Sequence, residues 1–159
     1  DIGTGSGCIA ISLRKNINSK VMGIDISSEA ITVARKNILD DSENVDLVNE
    51  SIEKFKTDRM FDVIVSNPPY IPISDKKLVD SLVLDNEPKT ALFTQDDPLY
   101  FYRKILVFAK KNLNEGGRIY LEINDLYVDE ILDLFQGYNP ESMRDFYGKN
   151  RFIICNTGK

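Results

Sequence analysis

The residues best suited to chemistry in this chain lie in one short stretch, Ser66-Asn67-Pro68-Pro69-Tyr70-Ile71-Pro72. It follows Phe61 to Val65, an apolar run that reads as a buried strand. Asparagine and proline are ordinary turn residues, so a plain turn is one reading of the stretch. Two consecutive prolines, however, remove two N–H donors and stiffen the backbone, leaving carbonyls that can only accept. A rigid set of acceptors at a strand's carboxyl end suits a ligand that bears N–H groups. Taken alone, the stretch leaves turn and site both open.

A second constellation opens the chain. Gly3, Gly5 and Gly7, in Asp1-Ile2-Gly3-Thr4-Gly5-Ser6-Gly7, precede an apolar helical pattern from Cys8 to about Arg14. Glycines at such a place let the backbone turn tightly and approach a ligand at a helix N-terminus. Asp25 ends the next apolar run, 20 residues after Gly5. That is where an acidic residue takes the hydroxyls of a ligand's ribose. A helix cap is the other reading of Asp25, but Ser27 or Ser28 fills that role without it. The spacing is Gly-x-Gly-x-Gly rather than the Gly-x-Gly-x-x-Gly of dinucleotide sites.

Apolar runs alternate with helical patterns along the whole chain. Strands are predicted at Lys20 to Asp25, Val45 to Asn49, Phe61 to Val65, Arg118 to Ile123 and Arg151 to Asn156. A helix after Ser27 or Ser28 places Ala30, Ala34 and Ile38 on one face. Asp97-Pro98 opens a long helix whose Leu99, Tyr102, Leu106, Ala109 and Leu113 keep helical spacing, and Asn114 to Gly117 ends it. Leu126 to Phe135 reads as a further helix. The segment Ile73 to Asp96 breaks this rhythm and is long for a loop, as lids and binding loops are. The alternation predicts a single α/β domain with a mostly parallel sheet flanked by helices.

Composition narrows the classes of function. The 159 residues carry 25 acidic and 20 basic side chains, a net charge of −5, which argues against a sequence-independent nucleic-acid binder. The pairs Arg35-Lys36, Lys76-Lys77 and Lys110-Lys111 read as solvated helix faces. No apolar run approaches the roughly 18 residues of a membrane span. The chain has no histidine, which excludes His-based zinc sites and Ser-His or Cys-His nucleophile pairs, and no metal is expected. Cys8 and Cys155 are read as buried, reduced thiols, as expected in the cytoplasm.

With Asp1 two residues before its first glycine, the opening loop resembles the first motif of S-adenosylmethionine-dependent methyltransferases. Asn67-Pro68-Pro69-Tyr70 resembles the motif of those members that methylate planar, conjugated nitrogens. More narrowly, the segments DIGTGSG (1–7), GIDIS (23–27), SNPPYIP (66–72), NEPKTAL (86–92) and DFYGKNR (145–151) resemble the HemK/PrmC family in order and spacing. That family comprises protein-(glutamine-N5) methyltransferases acting on class-one peptide-chain release factors. The resemblance covers essentially the whole chain. It implies a Rossmann-like methyltransferase fold and S-adenosyl-L-methionine as cofactor. The cofactor would meet Gly3, Thr4, Gly5, Ser6, Gly7, Asp25 and Asn67, and the glutamine would meet Asn67, Pro68, Pro69 and Tyr70. Family members commonly carry an aspartate and an aromatic after the third strand, where this chain has Ser51 and Ile52. Ile52 therefore reads either as packing on the adenine or as a core residue. Glu87 either orders the lid loop or caps it, and Arg151 pairs with Asp145 across a turn that Gly148 permits.

Two rivals stand beside this expectation. One is a DNA or RNA methyltransferase acting on exocyclic amines, which should show a basic groove or an added recognition domain. The other is a non-catalytic cofactor-binding subunit, which has no reason to keep an intact Asn-Pro-Pro-Tyr. Residues 1–159 are expected to form a monomeric catalytic domain truncated at its N-terminus. The glycine loop of this fold hangs from a first strand that the chain is expected to lack.

Overall fold

The computed structural model describes residues 1–38, 45–72, 93–94 and 97–158. Glu87, Lys76-Lys77 and nearly all of the 73–96 segment lie outside the described residues. The chain divides into two compact units. One comprises Asp1–Asp58 with Val65–Asn67, the other Arg59–Ile64 with Pro68–Lys159.

In the first unit, α1 (Cys8–Asn16) is followed by β1 (Met22–Asp25), α2 (Ser28–Asn37) and β2 (Asp46–Asn49). β1 and β2 pair in parallel, Met22 opposite Asp46 through Asp25 opposite Asn49, as a helical crossover between them requires. The first residues of the chain do strand work. Ile2 bridges in parallel to both Ile24 and Ser66, with Ile2 N donating to Val65 O at 2.9 Å and Gly3 N to Ile24 O at 2.9 Å. Ala10 and Ile11 of α1 pack with Val45, and Val21, Ile38 and Leu47 close over them.

Helix α2 starts as predicted, with the Ser27 hydroxyl accepting from Ala30 N at 3.1 Å. Its buried positions are Ile31 and Ala34, so the inward stripe runs Ile31, Ala34, Ile38 rather than starting at Ala30. The i, i+3, i+7 spacing places the larger Ile31 side chain in the core and leaves Ala30 at its margin. Cys8 is exposed, contrary to the expectation of a buried thiol, whereas Cys155 is buried; both are free. Cys8 is the first residue of α1, where its Sγ lies 3.2 Å from the Ser6 hydroxyl.

The second unit contains β4 (Ile71–Pro72), β5 (Phe93–Thr94), α3 (Tyr100–Asn112), β6 (Leu113–Glu122), α4 (Val128–Leu134), β7 (Glu141–Arg144) and β8 (Asn150–Asn156). Strand β3 (Phe61–Ser66) spans the division between the units, and the sheet order is β3-β6-β8-β7. β8 is antiparallel to both β6 and β7. β7 escapes sequence reading because all four of its residues are exposed, leaving no alternation to detect. The short parallel pair β4–β5 is likewise too brief to leave a pattern.

Helix α3 begins at Tyr100 rather than at Pro98. Asp97 still organises the start: its carboxylate accepts from Leu99 N at 3.0 Å, its carbonyl from Tyr100 N at 3.1 Å, and it pairs with Arg103. Tyr102, Leu106 and Ala109 of the predicted stripe are buried, together with Ile105 and Phe108. Opposite them, Ile119, Leu121, Ile123, Ile131, Phe135, Ile153 and Cys155 make a core with almost no exposure. At about 25 cal/mol per Å² of apolar surface, such residues supply most of the stabilisation. The expected 126–135 helix is split into a short 3₁₀ turn at Asp125–Tyr127 followed by α4.

Candidate active site

The glycine loop is built from two kinds of glycine. Gly3, Gly5 and Gly7 all hold positive φ, at 72°, 55° and 83°, a region that costs other residues about 1–2 kcal/mol. Gly7 is also packed: a Cβ there would sit 3.0 Å from Ile11 Cδ1 and 3.1 Å from Ala34 Cβ. Among the described residues, a Cβ at Gly3 or Gly5 would meet nothing within 4 Å. The loop is thus tight where it enters α1 and open at its tip, as a backbone that receives a ligand must be.

Side-chain carboxylates hold this shape. Asp1 Oδ2 accepts from the Thr4 hydroxyl at 2.6 Å and from Ala10 N at 3.2 Å. Asp25 reaches the loop from the end of β1, where Oδ2 accepts from Gly5 N at 2.8 Å and Oδ1 from Ser27 N at 2.8 Å. Each oxygen keeps a further lone pair for a ligand. Asn37 Nδ2 donates to Ser6 O at 2.9 Å. The sequence singled out Asp25 for a ligand's hydroxyls, but gave no sign that it also clamps the loop. Nor did it give roles to Asp1 and Asn37.

After β2 the chain turns at Ser51, whose carbonyl accepts from Lys54 N at 3.0 Å and Phe55 N at 2.9 Å. Ile52 is half-buried. The Ser51 hydroxyl oxygen is buried and has no hydrogen-bond partner among the described residues. Ser66 pins the end of β3, its hydroxyl donating to Ile2 O at 2.7 Å. Asn67, the next residue, is exposed, with its amide available to solvent or substrate. Gly3 to Gly7, Asp25, Ile52 and Asn67 all belong to the first unit, and Pro68, Pro69 and Tyr70 to the second.

In the second unit Pro68 is buried while Pro69 and Tyr70 are half-buried. The Tyr70 hydroxyl donates to Glu122 Oε1 at 3.4 Å. Burial first, then the Glu122 charge, raises the Tyr70 phenol above its ordinary value. Burial likewise raises the Glu122 carboxyl, with Arg151 and the Tyr70 bond working against it. Arg151 Nε meets Asp145 Oδ2 at 3.3 Å, and Gly148 turns the chain between them with φ 80°, as the sequence predicts. Desolvation works upward on the Asp145 carboxyl, but is outweighed by the N–H groups of Lys149 and Tyr147 and by Arg151, which hold it below its usual value. Glu122 was missed by sequence reasoning, since a glutamate ending a strand carries no motif.

Among the described residues, no group of three or more His, Cys, Asp or Glu could hold a metal ion. No helix among them is long and apolar enough to cross a membrane.

A family model for a methyltransferase domain matches residues 1–145. The chain is 43% identical over 98% of its length to the release factor glutamine methyltransferase of Flavobacterium psychrophilum, covering 57% of that protein. It is 41% identical, again over 98% of its length, to the release factor glutamine methyltransferase of Bacteroides thetaiotaomicron, covering 59% of it. The chain therefore spans less than two thirds of the curated relatives it matches. Among solved structures, a methyltransferase from Pyrococcus furiosus superposes with a TM-score of 0.72 at 27% identity, over 99% of this chain and 73% of that one.

Proposed function

The chain belongs to the methyltransferase-domain family, and on that premise we propose that it transfers the methyl group of S-adenosyl-L-methionine to the side-chain amide nitrogen of a glutamine in class-one peptide-chain release factors. The observation that carries this reading is Asn67-Pro68-Pro69-Tyr70 following directly on β3, in a chain 43% identical to a release factor glutamine methyltransferase.

The residues fit the cofactor. Among the described residues no side chain intrudes on the loop at Gly3 and Gly5, and Asp25 keeps lone pairs for ribose hydroxyls beyond the two N–H groups it holds. Thr4, Ser6 and Gly7 complete the loop, and Ile52 lies on the turn after β2. When bound, the cofactor supplies an electrophilic methyl group on a sulfonium.

The chain's own residues do the remainder. An amide nitrogen shares its lone pair with the carbonyl and attacks poorly. The Asn67 side-chain oxygen and the Pro68 carbonyl accept the two N–H bonds of the glutamine amide. They orient its lone pair and stabilise the positive charge that grows on nitrogen. Pro69 stiffens the segment and Tyr70 stacks on the amide plane. No base is required before attack, and the surplus N–H proton of the methylated amide passes to water, so the lack of histidine is no obstacle. The protein acts as a monomer in the cytoplasm, a reducing compartment that suits its two free thiols.

The test is incubation with methyl-labelled cofactor and either a class-one release factor or nucleic acid. Label on a glutamine amide, located by mass spectrometry, is the expected result. Label in nucleic acid, or in neither, overturns the proposal.

A further inference from the structure

Glu122 is the one acidic side chain that a residue of the Asn-Pro-Pro-Tyr segment touches among the described contacts. It sits at the end of β6, half-buried, where a carboxylate is costly unless it is paired. Its backbone carbonyl accepts from the Tyr102 hydroxyl at 3.0 Å, which fixes the end of the strand on α3. Across the ladder it stands opposite Phe152, next in the chain to Arg151. Arg151 faces both Tyr70 and Glu122 closely enough for its charge to favour their ionised forms. Asp145 holds Arg151 from the other side, in a turn fixed by N–H donation from Tyr147 at 2.9 Å and Lys149 at 3.1 Å.

We infer that Glu122 is a positioning residue for methyl transfer: its carboxylate holds the Tyr70 phenol, and so the ring plane that meets the substrate amide. The inference rests on the proposed reaction. Tyr70 follows two prolines that fix the backbone but not the side chain, so its ring needs an anchor of its own. A bond to a charged acceptor supplies one. At 3.4 Å the bond is longer than the roughly 2.5–3.0 Å of a tight O–H···O pair, leaving it room to shorten when substrate loads the ring.

The test compares Glu122→Ala, Glu122→Gln, Tyr70→Phe and the Tyr70→Phe/Glu122→Ala double variant, each first checked by thermal unfolding. Glu122→Ala should lower kcat about tenfold and leave cofactor affinity within about twofold. The double variant should be no slower than the slower single, because residues acting as one unit are not additive. Glu122→Gln keeps an acceptor for the phenol and should restore most of the rate. Additive losses, or a Gln variant as slow as Ala, overturn the inference. A second measurement needs no methyl acceptor: the Tyr70 Cζ resonance of tyrosine-labelled protein, assigned through Tyr70→Phe, should titrate at lower pH in Glu122→Gln than in wild type. An unchanged titration also overturns it. A shifted titration in a protein that methylates no release factor supports the Glu122–Tyr70 contact and refutes the proposed substrate instead.

Discussion

A planar amide nitrogen is a poor nucleophile, and in the proposed reaction that weakness sets what Asn67 contributes. The side chain is exposed at the end of a pinned strand, where it can accept a hydrogen bond that strengthens as charge develops on the substrate. Asn67→Ala should lower kcat by about 10²–10³, the typical effect of removing one transition-state hydrogen-bond partner. Cofactor affinity should stay within several-fold. An unchanged kcat in single-turnover assays would refute this role. Asp25 should give the reverse pattern. Its carboxylate clamps the Gly5 N–H and, in the proposed function, takes the ribose hydroxyls, where charge-assisted bonds contribute about 1.5–3 kcal/mol. Calorimetry of Asp25→Ala should therefore show cofactor affinity falling at least about tenfold, or about 1.4 kcal/mol. An unchanged dissociation constant would remove Asp25 from the site.

The loop and its helices separate two glycines of identical type. Gly5 and Gly7 share a positive φ, but only Gly7 is hemmed in by Ile11 and Ala34. Gly7→Ala should thus cost stability twice, about 1–2 kcal/mol for the backbone and a comparable amount for overpacking. A drop of about 4–16 °C in Tm follows, at roughly 2–4 °C per kcal/mol for a chain of this size. Gly5→Ala carries the backbone cost alone, and its methyl group projects into the open space the cofactor would fill. It should lower Tm less and cofactor affinity more. Thermal unfolding with and without cofactor distinguishes the two, and equal behaviour would mean the tip of the loop is not a binding surface.

Taken as a whole, the molecule protects one of its thiols and presents the other. Cys155 is fully buried on β8, and burial pushes its thiol up to about 12, while Cys8 is exposed at the start of α1. A thiol reagent at neutral pH should label one cysteine in the folded protein and the second only on global unfolding. Rapid labelling of both in native buffer would contradict the buried position. The pH dependence has a definite sign. The folded state favours the neutral thiol, so this contribution is complete below the ordinary value of 9.0 and declines as pH rises toward about 12. Unfolding midpoints of wild type and Cys155→Ala should accordingly converge across that alkaline window.

The sequence by itself determined the α/β class, the strands ending in Asp25 and Ser66, the Ser27 cap and the residues of both motifs. Each is local: a periodicity, a capping side chain or a backbone demand for glycine is written in neighbouring positions. The Asp145–Arg151 pair was also legible, because a tight turn separates its members. Tertiary structure alone decided that Asp25 holds Gly5, that Asp1 ties Thr4 to Ala10, that Cys8 faces outward, and that an exposed β7 adds an antiparallel edge. It alone brought Glu122 to Tyr70, 52 residues away in the chain. Contacts over such separations follow from the register of one strand on another, and no local pattern encodes which side chain a register will bring opposite a given ring.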